Sequence, residues 1–172
     1  MNDRATLLHI VLVEPCIPTN TGSIIRLCAN TGCRLHLVEP LGFRLDEASV
    51  RRGGLDYHEL TVVTVHPSWE DARRNITAVT PNGQWFATTA SATVRHTDVD
   101  YQAGDVVVFG TEPTGLPPEI LDEFAAPSRL AIPMRPDNRS LNLSNAAAVV
   151  AYEAWRQHDF AGGAVRGTIA ER

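Results

Sequence analysis

Short apolar runs separated by amphipathic stretches set the rhythm of this chain. Residues 7–13, 34–38, 60–65, 84–88, 106–110 and 130–132 read as strands, being brief, rich in branched side chains and bounded by turn-forming residues. Val106-Val107-Val108-Phe109 is apolar at every position, the pattern of a central strand buried on both faces. Helical spacing falls between these runs, over 21–30, 68–76, 117–124 and 143–157. Pro117 and Pro118 suit the first turn of a helix, where a missing N–H costs nothing. Strand–helix alternation predicts an α/β fold, a Rossmann-like, mostly parallel sheet flanked by helices. The last helix carries Val149, Val150, Tyr152 and Trp155 with alanines between them. Such a face packs closely, either within the monomer or across a dimer.

Composition narrows the class. At 172 residues the chain is expected to form a single domain, with a core over about residues 7–160 and loose polar tails. Hydrophobic residues make up 44% and charged residues 20%, a globular rather than a disordered balance. A net charge of −5 argues against non-specific coating of nucleic acid. All 15 basic residues are arginine. Arg26, Arg34, Arg44, Arg51 and Arg52 outnumber Glu39, Asp46 and Glu47 in one stretch, a local surplus able to steer a phosphate backbone. Asp56-Tyr57-His58 adds an aromatic ring and a histidine that can stack on an unpaired base.

Three cysteines, Cys16, Cys28 and Cys33, form no C-x-x-C pair and fit a reducing compartment. Cys28, Cys33 and His36 lack a fourth ligand at a recognisable spacing, so no metal is expected. No basic-then-apolar leader and no membrane-length apolar run occur. The expectation is a soluble, cytoplasmic protein with no membrane partner.

Three segments carry polar chemistry. Glu14-Pro15-Cys16-Ile17-Pro18-Thr19-Asn20-Thr21-Gly22 follows the first strand and opens a helix, with Thr19 or Asn20 placed to cap it. Arg26 falls in the second turn, and Asn30 follows one turn later on the same face. Gly110-Thr111-Glu112-Pro113-Thr114-Gly115-Leu116 follows the fully apolar strand and allows close backbone approach. It is neither the dinucleotide fingerprint nor a phosphate loop. Glu112 would repel a phosphate and suits an adenosine bearing a cationic sulfonium better. Finally, Ile132-Pro133-Met134-Arg135-Pro136-Asp137-Asn138-Arg139-Ser140-Leu141-Asn142-Leu143-Ser144-Asn145 crowds amides and hydroxyls onto one helix start. Ser140, Asn142 or Ser144 either caps that helix or holds a ligand there.

Taken in order, Pro18-x-Asn20-Thr21-Gly22 with Arg26, Gly110-x-Glu112-x-x-Gly115-Leu116, and Ile132-Pro133-Met134 through Ser140-Leu141-Asn142-Leu143-Ser144-Asn145 resemble the SpoU-type RNA 2′-O-methyltransferases of the SPOUT superfamily. Arg51-Arg52-Gly53-Gly54-Leu55-Asp56-Tyr57-His58 and Tyr152-Glu153-Ala154-Trp155-Arg156 are similar to the subgroup that methylates the wobble nucleotide of tRNA. The resemblance implies S-adenosylmethionine as methyl donor, a C-terminal trefoil knot, and a homodimer with its active site at the subunit interface. Carried over by position, Thr88, Gly110, Ile132 and Ser140 line the cofactor pocket, with Leu141 beside the adenine; Glu112 and Gly115 belong to the same cofactor loop. Arg26 matches the arginine assigned to activation of the ribose 2′-hydroxyl, and Asn142, with Ser140, faces it. Many wobble enzymes carry a basic residue where this chain has Thr114, so the RNA contact made there is open to question.

The resemblance therefore implies 2′-O-methylation of cytidine or uridine 34 in the tRNA anticodon stem-loop. The alternatives are a different tRNA or rRNA site, or an RNA-binding module without catalysis. Arginine stays protonated in proteins, which makes Arg26 a poor proton acceptor and a better electrostatic stabiliser or phosphate clamp.

Overall fold

The computed structural model describes residues 6–45, 60–136 and 140–164. Its centre is a seven-stranded sheet: β1 (Leu8–Val13), β2 (Arg34–Val38), β3 (Val63–His66), β4 (Trp85–Thr88), β5 (Val94–Arg95), β6 (Asp105–Phe109) and β7 (Arg129–Ala131). The strands lie in the order β3-β2-β1-β6-β4-β7-β5, and every pairing is parallel. Parallel strands need long crossovers, and helices supply them: α1 (Pro18–Thr31), α2 (Trp69–Val79), α3 (Pro118–Leu121) and α4 (Leu143–Gln157). The expected α/β architecture is what forms.

Residue type explains the layering. Every residue of β1 and β6 is buried, because both strands sit mid-sheet and are covered on both faces. Side-chain alternation then sorts the core in two. Leu8, Ile10, Leu12, Leu35, Leu37, Val107 and Phe109 face α1 and α4. Val11, Val13, Val38, Val106 and Val108 face the other layer, with Trp69, Ala72 and Ile76 of α2 and Ile120 of α3. The alanines of α4 settle one open question. Ala147, Ala151 and Ala154 are fully buried with Ile24, Ile25 and Cys28, so the small-residue face docks on α1 within the monomer. Val149 and Tyr152 remain exposed, at 39% and 48%.

Several boundaries differ from the sequence reading, each for a local reason. Helix α1 begins at Pro18 rather than residue 21, since proline is tolerated at the first helical position. Strand β3 starts at Val63; Leu60 is helical, and Thr61 and Val62 form the turn leading into it. The helix expected over 117–124 is one short turn, Pro118–Leu121. Strand β5 was not anticipated, because two residues carry no periodicity; pairing of Val94 with Leu130 and Arg95 with Ala131 defines it. The segment with Arg51, Arg52, Asp56, Tyr57 and His58 lies outside the described residues, as do Asp137, Asn138 and Arg139. Cys28 and Cys33 are buried in the core, and the ring nitrogens of His36 are engaged by two other histidines.

Strands β1 and β6 are neighbours although the chain leaves them in different directions, so their carboxyl ends open a crevice. Crevices of this kind hold ligands in open α/β sheets. Leu12 is fully buried beneath it. Leu12→Ala should lower unfolding stability by about 2–5 kcal/mol, and Val79→Ala, at a position 70% exposed, by less than about 0.5 kcal/mol. Urea titrations of both variants check this; equal losses would misplace the core.

Candidate active site

The crevice is built by the loops that leave β1, β4, β6 and β7. At the end of β1, Glu14 adopts φ +49°, a left-handed conformation uncommon outside glycine, and its N–H donates to the Val38 carbonyl at 3.0 Å. That turn sends Cys16 and Ile17 over the top of the sheet into α1. Ile17 is the N-cap of α1 and offers no side-chain acceptor to the helix start.

Glu112 supplies what Ile17 lacks. Its Oε2 accepts from the Cys16 backbone N–H at 2.9 Å and from the Cys16 thiol at 3.0 Å. Its Oε1 accepts from the Ile17 N–H at 3.1 Å and from Asn20 Nδ2 at 3.1 Å. A carboxylate at a helix N-terminus is stabilised by exposed N–H groups and by the helix dipole. Burial alone raises the Glu112 carboxyl, but the Cys16 backbone, the Cys16 thiol and the Asn20 amide outweigh it and hold the group below its ordinary value. Glu112 therefore stays anionic.

Asn20 passes the connection on. Its Oδ1 accepts from Asn142 Nδ2 at 2.9 Å. Asn142 in turn is the N-cap of α4, its Oδ1 accepting from Ser144 N at 2.9 Å and Asn145 N at 3.4 Å. The helix-capping and site-building roles of the 140–145 segment thus coexist in one side chain. The expected capping of α1 by Thr19 or Asn20 does not occur, because Asn20 faces Glu112 and Asn142 instead.

Gly110 is required by the shape of the 110–116 loop. Thr111 and Gly115 exchange backbone hydrogen bonds of 3.1 and 2.9 Å, closing the loop on itself. A Cβ on Gly110 would lie 2.0 Å from the Gly115 carbonyl carbon and 2.1 Å from the Leu116 nitrogen. Gly115, at φ +77°, completes the turn.

Together these loops enclose a cavity of about 330 Å³. Thr88, Gly110, Glu112, Ile132, Ser140, Leu141 and Asn142 all line it. Gly115 does not; it shapes the loop from behind. Arg26 lies further along α1, exposed and off the cavity wall of its own chain. Asn30 bonds the Arg26 carbonyl at 2.9 Å rather than reaching toward the cavity. Asn20, Phe109 and Met134 line the cavity but were not among the expected cofactor residues. Spacing pointed to Asn20 only as a cap, and Phe109 carried only a strand signal. The walls are mainly apolar, with side-chain polar atoms from Thr88, Thr89, Thr111, Glu112, Ser140 and the asparagine pair, the usual make-up of a small-molecule site.

Residues 7–152 match the SpoU rRNA Methylase family. A Methylovorus glucosotrophus (strain SIP3-4) protein named tRNA (cytidine(34)-2′-O)-methyltransferase is 55% identical over 156 residues, covering 91% of this chain and 99% of that protein. A solved structure described as giving insights into the 2-OH methylation of C/U34 on tRNA is 38% identical with a TM-score of 0.79, covering 89% of this chain and 97% of that one. The SpoU methyltransferase AviRb of Streptomyces viridochromogenes, solved in complex with the cofactor AdoMet, is 26% identical with a TM-score of 0.75 and covers 93% of this chain and 60% of that one.

Replacing Glu112 by glutamine puts an amide donor against the donors of Cys16, Ile17 or Asn20. The variant should lose about 1–3 kcal/mol of stability at pH 7, read from urea midpoints. Because the folded carboxyl titrates below its ordinary value of 4.5, its contribution is present above that pH and is lost as pH falls through the folded value. Glu112→Gln should remove this acid-side slope, and an unchanged slope would mean that the carboxylate is not the cap.

Proposed function

Since the chain belongs to the SpoU methylase family, we propose that it transfers a methyl group from S-adenosylmethionine to the ribose 2′-hydroxyl of nucleotide 34 in the tRNA anticodon stem-loop. The observation that carries this reading is the hydrogen-bonded line Glu112–Asn20–Asn142, which draws three distant segments to one cavity. The relatives named for cytidine-34 or C/U34 methylation are similar to nearly the whole chain, which favours that target over another tRNA or rRNA site and over a module without catalysis. A tRNA substrate supports a cytoplasmic location. Among the described residues no helix is long and apolar enough to cross a membrane.

The donor set fits the cofactor. Ile132, Leu141, Phe109 and Leu130 offer an apolar wall to a purine and a thioether chain, and the anionic Glu112 lies on the side suited to a sulfonium. Gly110 lets the Gly115–Leu116 backbone close against the loop base that borders the cavity. Bound there, the cofactor supplies a methyl carbon already activated for in-line displacement. What remains for the protein is to align the acceptor oxygen and to manage its proton, and alignment contributes on the order of 7–11 kcal/mol in favourable cases.

Asn142 and Ser140 sit where the acceptor ribose would enter, and Asn142 is held in place by Asn20 and by its own helix cap. Arg26 stabilises the developing alkoxide or clamps the neighbouring phosphate; a guanidinium is too weak an acid to serve as the base. Its position off the cavity wall of its own chain supports a homodimer in which a second copy completes the site. Val149, Tyr152, Ile17 and Leu141, each 39–48% exposed, give apolar area for such a contact. In the same reading, the C-terminal third of the chain forms a trefoil knot.

Three measurements test the proposal. Titration calorimetry should show S-adenosylmethionine binding; no binding would remove the enzyme reading. Mass spectrometry of tRNA from cells lacking the protein should show loss of 2′-O-methylation at position 34, and an unchanged level would exclude that target. Arg26→Lys should cut kcat by about tenfold or more while cofactor affinity stays constant, because lysine keeps the charge but not the planar fork. Near-full turnover would exclude the clamp.

A further inference from the structure

The face of the sheet turned away from the cavity's helices holds a second ordered polar feature. His9 of β1, His36 of β2 and His66 of β3 stand side by side across three strands, 5%, 7% and 2% exposed. His9 Nδ1 lies 2.9 Å from His36 Nε2, and His36 Nδ1 lies 2.9 Å from His66 Nε2. Ring centroids are 5.1 and 5.2 Å apart. None of the three lines the cavity, and the methyl-transfer reading leaves them without a role.

Each N···N contact needs one N–H and one lone pair. His36 uses both nitrogens; when neutral it donates on one side and accepts on the other. A charged His36 would donate on both sides, so it fits only if His9 and His66 both accept. The chain has two possible senses. Arg34 of β2 stands opposite His9 in the strand register and acts on His9 and His36, while Asp71 of α2, paired with Arg74, acts on His66. On the same sheet face, Val11 and Val13 of β1 and Val106 and Val108 of β6 are uncharged. A positive group at the His9 end and a negative one at the His66 end favour the same sense, with the proton on Nδ1 of every ring. In that sense a proton captured at His66 Nε2 takes away the lone pair that accepts from His36, which breaks the β2–β3 contact.

We propose that this histidine ladder is an acid-released latch on the sheet edge: neutral rings clamp β3 to β2 and β1, and proton capture frees β3 before the central strands open. Among the described residues β3 is the outermost strand and pairs only with β2, and its middle residues Thr64 and Val65 are exposed. Edge elements with few buried contacts open at lower cost than central ones. Burial, with the Arg34 charge added, holds His9 down to about 4. Burial, the two flanking rings and Arg34 hold His36 to about 3, and burial lowers His66 against the opposing pull of Asp71. Folded values below the free value of 6.5 mean that the open state binds more protons. The latch is at full strength above about pH 6.5 and weakens as pH falls toward 4.

Histidine-labelled NMR and hydrogen exchange on the wild-type protein test this directly. The three rings should be neutral at pH 6, all with Nδ1–H. Between pH 6.5 and 5, opening of Val63–His66, corrected for intrinsic exchange, should rise at least tenfold relative to Asp105–Phe109. His66→Leu removes the proton-capturing ring of β3, so the pH dependence of β3 opening should fall by up to about tenfold per pH unit. A charged ring at pH 6, mixed tautomers, or identical pH dependence for β3 and β6 would overturn the latch. Cofactor binding by the same samples is read separately and bears only on the methyl-transfer reading.

Discussion

One carboxylate organises the functional end of this molecule. Glu112 accepts four hydrogen bonds from the start of α1, a segment more than ninety residues earlier in the chain. Without it, two backbone N–H groups at the helix start would lose their acceptor, and a buried unsatisfied donor is costly. Because the same carboxylate also holds Asn20, and Asn20 holds Asn142, the starts of α1 and α4 and the loop after β6 share a single constraint. The alanine face of α4 lets this happen. Small side chains bring the helix close against α1, and a bulkier face would separate the two asparagines.

The constraint also resolves an apparent conflict. A negative charge facing a cavity looks like a liability, yet Glu112 is satisfied by its donors. It stays ionised on the donors of Cys16 and Asn20, which outweigh its burial.

Long, continuous signals in the sequence were the legible ones. The unbroken apolar run of β6, the branched runs of β1 and β2, and the 3.6-residue pattern of α4 each announced their element because many residues repeat one demand. The ordered polar segments announced the cavity, and Thr88, Gly110, Glu112, Ile132, Ser140, Leu141 and Asn142 do gather there. What was hidden depends on distance in sequence. Asn20 looked like a cap because its true partners lie 92 and 122 positions away. The histidine ladder spans three strands with separations of 27 and 30 residues, and no local window joins them. Gly115 was legible as a special residue but not as one that works from behind the wall. A glycine's backbone role leaves no side-chain signature to place it.

The 110–116 loop divides its labour spatially. Its base, fastened by the Thr111–Gly115 exchange and the bare α-carbon of Gly110, is fixed to the sheet, while Pro113 and Thr114 ride exposed at the tip. Changes at the tip leave the base undisturbed. Such an arrangement is modular: the exposed tip residues can be exchanged while the base, and the pocket wall it carries, keep their shape.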